Sequence, residues 1–159
     1  KEKLDEIQLA TEKSQALDKA MTYLSACMRT RRQMSDYLTK KGYTQAVCDY
    51  VLERLEYHNL IDDAAYCRAY INSVKGKGKR ALEADLIKRG AEKNAISEAL
   101  DEVEEDSGEA AVILEKYMRG KQHDKQNLYK AFKYLLAKGY GYDTAKDALG
   151  KFGDTDEDY

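Results

Sequence analysis

The chain of 159 residues carries 27 Lys and Arg against 29 Asp and Glu, a formal net charge of −2, and its residues are 43% hydrophobic and 35% charged. That balance excludes a globally basic nucleic-acid binder, so any affinity for phosphate has to come from local clusters. With no proline and an abundance of Ala, Leu, Glu, Lys and Arg, the composition favours helix almost throughout.

Residues 1–13 are polar with scattered Leu4, Ile7 and Leu9, and form an N-terminal arm or a helical extension. Leu17, Ala20, Met21, Leu24 and Met28 then recur with helical period, and Ser14 is placed to cap that helix. Thr30-Arg31-Arg32-Gln33 fits a capping box, in which hydroxyl and amide each satisfy the other's backbone N–H. It opens a second helix whose inner face is Met34, Tyr37 and Leu38 and which ends at Gly42. Thr44 caps a third helix that buries Val47, Cys48, Val51, Leu52 and Leu55.

Leu60 and Ile61 plug a joint, and the carboxylates of Asp62 and Asp63 oppose the positive end of the next helix dipole. That helix puts Ala65, Tyr66, Ala69, Tyr70 and Ile71 on one face. Val74-Lys-Gly-Lys-Gly-Lys-Arg80 is the most basic stretch; it lacks the spacing of a phosphate-binding nucleotide loop. It is either a solvated basic loop or a contact for an anionic partner. Leu82, Leu86 and Ile87 form the face of the helix that follows, Gly90 stops it, and Ala95, Ile96, Ala99, Leu100 and Val103 continue in a second one.

The acidic run Glu102–Asp106 is a solvated helix end and linker. Ser107 caps the helix containing Ala110, Val112, Ile113, Leu114 and Tyr117; Leu128, Phe132, Leu135 and Leu136 belong to the next, which ends at Gly139. A last helix spans roughly Thr144–Phe152 with Ala145, Ala148 and Leu149 inward, and residues 153–159 form a disordered acidic tail.

Aligning Gly42, Gly90 and Gly139 superposes Leu38, Leu86 and Leu135 before them, Lys41, Arg89 and Lys138 beside them, and Leu52, Leu100 and Leu149 after them. Glycines 48 and 49 residues apart define an internal repeat. The expected organisation is an arm (1–13), three-helix repeats at 14–62, 63–106 and 107–152, and the tail (153–159). Stacked repeats of this size bury apolar surface at each joint, which predicts an all-α protein built as an elongated, curved array. The helix-turn-helix proportions also permit a DNA-binding module, although fold alone does not decide between them.

Cys27, Cys48 and Cys67 form no CxxC pair and are expected as reduced apolar residues of a cytoplasmic protein; His58 and His123 have no partner at ligand spacing, so neither metal nor cofactor is expected. No nucleophile–base set can be assembled, and an enzyme is not expected. No long apolar stretch or signal peptide occurs.

The series Arg29-Thr-Arg-Arg-Gln-Met, Leu38-Thr-Lys-Lys-Gly, Leu60-Ile-Asp-Asp-Ala-Ala-Tyr and Gly78-Lys-Arg-Ala-Leu-Glu-Ala-Asp-Leu-Ile-Lys-Arg-Gly resembles the RecX family, as does Lys130-Ala-Phe-Lys-Tyr-Leu-Leu-Ala-Lys-Gly-Tyr. The resemblance covers about residues 16–152. It implies three tandem three-helix repeats without enzymatic activity, a monomer that binds the groove of the RecA–DNA filament. Such binding usually suppresses strand exchange, ATP hydrolysis and SOS-repressor cleavage. Direct DNA binding is expected to be weak and salt-dependent. The cations offered to filament or DNA are Arg29, Arg31, Arg32, Lys40, Lys41, Lys75, Lys77, Lys79, Arg80, Lys88 and Arg89. Lys121 and Lys125 are expected to matter less, because Asp124 dilutes their charge.

Overall fold

A computed structural model describes the backbone of residues 1–157 and the side chains of residues 1–152. The described residues form nine α-helices and no strand: α1 (Glu2–Ala26), α2 (Arg31–Lys40), α3 (Gln45–Tyr57), α4 (Asp63–Ser73), α5 (Lys79–Lys88), α6 (Lys93–Asp101), α7 (Ser107–Met118), α8 (Lys125–Ala137) and α9 (Tyr142–Glu157).

Two compact units result, one of residues 1–69 with 86–96 and the other of 70–85 with 97–159. The helices α4, α5 and α6 therefore contribute residues to both. In the first unit α1 and α2 pack on α3 around Ala16, Ala20, Met34, Leu38, Val47, Cys48, Val51, Leu52, Leu55 and Ile61. In the second, α7, α8 and α9 close on Ala110, Leu114, Met118, Ala131, Leu135, Tyr140, Ala145 and Ala148. Small residues at Ala16 and Ala20, and again at Ala145 and Ala148, leave no exposed surface and let neighbouring helices approach closely.

The helix ends follow the local chemistry. Thr30 makes the full capping box with Gln33, Thr44 accepts from the N–H of Val47, and Asp124 accepts from that of Asn127 at 2.8 Å. Gly42, Gly90 and Gly139 turn the chain with φ of +92°, +81° and +93°, a region where a Cβ is penalised.

Several local expectations give way. Ser14 lies inside α1, because no glycine or proline interrupts residues 2–26 and the good helix formers carry the helix through. Met21 and Met28 are exposed, whereas Ala20 is buried, Leu17 and Leu24 pack half-buried against the core as expected, and Ala16 is buried with them. Ile87 is 56% exposed although it carries the apolar period of α5. Asp106, rather than Ser107, caps α7 by accepting from the N–H of Gly108. The backbone of α9 runs to Glu157, into the segment expected as a disordered tail; the side chains past Phe152 and residues 158–159 lie outside the described residues.

Candidate interaction surface

Apart from Lys40 and Lys41 beside Gly42, the candidate cations sit around two glycine turns, each of which meets the start of an earlier helix. In the first unit the hydroxyl of Thr30, at the N-cap of α2, donates to the carbonyl of Arg89 at 2.9 Å, one residue before Gly90. The Arg32 side chain lies across Gly90 so closely that a Cβ there would stand 2.6 Å from its Cδ. Asp63 draws in two further backbone donors, the N–H of Arg31 and that of Glu92, each at 2.9 Å. The paired acids thus divide their work: Asp62 caps α4 through the N–H of Ala65, while Asp63 reaches across to α2 and to the segment after Gly90.

In the second unit the basic loop before α5 meets the turn at Gly139. The N–H of Gly78 donates to the carbonyl of Lys138 at 3.0 Å and that of Arg80 to the carbonyl of Gly139 at 3.1 Å. Cβ atoms on Gly78 or Gly139 would overlap the facing backbone, so both glycines are demanded by close approach. Glu105 accepts from the N–H of Gly141, and Glu109 accepts from Gly76 and from the hydroxyl of Tyr140. Burial, reinforced by the charge and hydrogen bond of Glu109, holds the Tyr140 phenol well above its ordinary range. The acidic run is therefore partly a set of backbone acceptors.

The candidate cations differ in what they already hold. Arg31 is paired with Glu56, Lys77 with Asp85 at 2.7 Å, and Arg89 donates to the hydroxyl of the buried Tyr66 at 2.9 Å. The Arg29 guanidinium lies 3.9 Å over the ring of Tyr23. Lys41 stands 5.6 Å from the ring of Tyr37, and Lys79 is half-buried at the start of α5. Arg32, Lys40, Lys75, Arg80 and Lys88 have exposed side chains. The clusters are thus not uniform patches of free charge.

Tyrosines repeat along the chain beside the charged residues. Tyr23, Tyr70 and Tyr117 recur every 47 residues, and each faces the position five residues before a repeat glycine: Tyr37, Asp85 and Tyr134. Tyr23 stacks on Tyr37 with centroids 4.0 Å apart, and Tyr117 on Tyr134 at 4.7 Å. In the middle copy the Tyr70 hydroxyl donates to Asp85 at 2.7 Å. Open grooves lie against both stacks. The first is lined by Tyr23, Gln33, Asp36, Tyr37, Thr39 and Lys40; the second includes Lys75, Lys116, Lys138, Tyr117 and Tyr134. The tyrosine spacing was available as a sequence signal, but without contacts the rings are indistinguishable from core residues.

Among the described residues no group of three His, Cys, Asp or Glu is placed to hold a metal ion. None of the described helices is long and apolar enough to cross a membrane.

Two family profiles match the chain: "RecX, first three-helix domain" over residues 16–55 and "RecX, second three-helix domain" over 62–100. The "Regulatory protein RecX" of Clostridium botulinum (strain Eklund 17B / Type B) is 30% identical over 77% of this chain and 61% of its own length. That of Bacillus cytotoxicus is 28% identical over 98% of this chain and 62% of its own length. The chain thus spans about three fifths of the length of these curated relatives. The crystal structure of RecX from Lactobacillus salivarius superposes with a TM-score of 0.85 at 24% identity, covering 89% of this chain and 97% of that one. A second crystal structure, of regulatory protein RecX, superposes with a TM-score of 0.83 at 23% identity, covering 92% of this chain and 76% of that one. At those identities the structures establish the shared fold.

Proposed function

The chain belongs to the RecX family, and from that premise we propose that it is a non-enzymatic regulator that binds the RecA–DNA filament and lowers its recombinase, ATPase and co-protease activities in DNA repair and the SOS response. It acts as a cytoplasmic monomer whose helix triplets, residues 14–62, 63–106 and 107–152, serve as successive contact modules.

The observation that carries this reading is the match to two successive RecX three-helix domains together with cations exposed at several points along the helices. A filament presents a repeating surface of protein and phosphate. Separate contacts on one chain then engage it at high effective concentration, so weak individual sites add up to useful affinity. A net charge of −2 disfavours indiscriminate adhesion to free DNA, while local cations still meet phosphate.

The test uses Lys40→Glu, Arg80→Glu and Lys88→Glu combined, since all three side chains are exposed and none belongs to the Arg31–Glu56 or Lys77–Asp85 pair. The variant, folded by circular dichroism, should need at least ten-fold more protein to inhibit DNA-stimulated ATP hydrolysis by RecA. Full inhibition by the folded variant at the unaltered concentration would overturn the assignment of these cations. Equal capture of the parent chain on naked DNA and on RecA–DNA filament at physiological salt would instead favour a stand-alone DNA-binding module.

A further inference from the structure

The groove beside the Tyr117–Tyr134 stack is lined by cations and rings. It encloses about 350 Å³ and is lined by Lys75, Gly76, Ile113, Lys116, Tyr117, Tyr134 and Lys138, without a carboxylate. Among the described residues Lys75, Lys116 and Lys138 make no ion pair within 4.0 Å. A fourth cation, Lys121, sits 3.5 Å over the Tyr117 ring. The Asp124 carboxylate caps α8 by accepting the N–H of Asn127 at 2.8 Å.

The arrangement of the rings leaves one face open. Tyr117 stacks on Tyr134 on one side, and a cation 3.5 Å from its centroid has to occupy the other. On its outer side Tyr134 is met by Lys138, whose Nζ is 5.5 Å from the ring centroid. A flat aromatic group can displace that loose contact, while the lysine stays near enough to meet an anion attached to it.

The related positions show why the groove is particular. Where the third copy has Tyr134, the second has Asp85, which takes the Tyr70 hydroxyl and the Lys77 ammonium on one oxygen, each at 2.7 Å. That copy satisfies its own charge. The first copy keeps its tyrosine stack, but Asp36 lines its groove.

We propose that the groove formed by Lys75, Lys116, Lys138 and Tyr134 is a binding site for single-stranded nucleic acid, the lysines meeting consecutive phosphates and the outer face of Tyr134 stacking on a base. A single strand is the fitting occupant because its bases are free to stack, whereas duplex bases are enclosed and an acidic polypeptide has no use for the ring. The proposal does not depend on the regulatory reading, and its test contains no recombinase.

The test is fluorescence anisotropy of a labelled oligothymidylate with the full chain across a salt series. The Lys116→Ala/Lys138→Ala variant should lose affinity, and its log–log salt slope should be shallower by about 1.4, from about 0.7 per phosphate contact. Tyr134→Leu should weaken binding roughly 5- to 100-fold with the slope retained, as expected for one lost base stack. Tyr134→Phe should bind like the parent, which separates lost stacking from altered folding. A control pair that does not line the groove, Lys3→Ala/Lys146→Ala, should change the slope less. No binding by the parent chain, an unaltered slope in the groove double variant, or parental affinity in Tyr134→Leu would each overturn the proposal. Equally effective competition by poly-glutamate would also overturn it, and would assign the groove to acidic protein.

Discussion

The turns at Gly90 and Gly139 make the same kind of joint with different atoms. At Gly90 the preceding carbonyl receives the hydroxyl of Thr30, and the partner side chain lying on the glycine is that of Arg32. At Gly139 the equivalent carbonyl receives the backbone N–H of Gly78, and backbone lies directly on backbone. A carboxylate seals each joint by accepting the N–H two residues beyond the glycine, Asp63 for Glu92 and Glu105 for Gly141. What recurs is the requirement that a helix C-terminal carbonyl find a donor, and a helix start is where spare donors are. The residue type supplying it is free to change. A joint made through a side chain has slack, and one made through backbone has none.

Removing the core under each turn should have the largest effect that leaves the joints themselves chemically intact. Leu86 and Leu135 are both fully buried, so either replaced by Ala should lose about 2–5 kcal/mol in urea unfolding. A much smaller loss at one of them would mean that its turn is held by the joint rather than by its own helix.

The seals should rank next. Asp63→Ala strips an acceptor from two backbone donors and should cost about 1–3 kcal/mol, whereas Glu105→Ala strips one and should cost less. Hydrogen exchange at the amides of Arg31 and Glu92 should accelerate together in the first variant. Unchanged protection of both would break the comparison.

The smallest effect is one of pH. Burial first, and then the Asp63 charge, push the Cys67 thiol from 9.0 up to about 11. A thiol whose pKa is raised on folding contributes stability that is fully present below the unfolded value and is lost as pH rises towards the folded one. Unfolding measured between about pH 9 and pH 11 should therefore show declining stability, and Cys67→Ala should flatten part of that decline. The buried Tyr140 phenol, raised in the same direction, supplies a decline of its own in the other unit.

The elements that could be read from the sequence are those fixed by neighbours in the chain. Thr30 and Gln33 are three residues apart, so their capping box needed no knowledge of the fold, and the left-handed glycines announce themselves by ending apolar periods. What could not be read depended on groups far along the chain. Nothing local tells that Arg31 meets Glu56, that Lys77 meets Asp85, or that Asp63 serves α2 in place of its own helix. Ile87 misled for a related reason: hydrophobic period marks a face, but which flank of that face stays in water is decided by the partner. The charge list was accordingly broader than the set of cations left exposed. The tyrosine stacks, with their 47-residue spacing, were hidden among residues of ordinary core type.

The glycine turns at Gly90 and Gly139 are docking points as well as helix stops, and Gly42 supplies the control. Its φ of +92° matches the +93° of Gly139, yet a Cβ on Gly42 meets nothing within 4 Å, whereas one on Gly139 overlaps Ala81. Urea unfolding of Gly42→Ala and Gly139→Ala measures the difference directly. Backbone strain alone predicts about 1–2 kcal/mol for each, and the docked turn should add about 1–3 kcal/mol of overpacking at Gly139 only. A loss at Gly139 clearly exceeding that at Gly42 is the expected result. Equal losses would show that the glycines do no more than end their helices, and would contradict the joint.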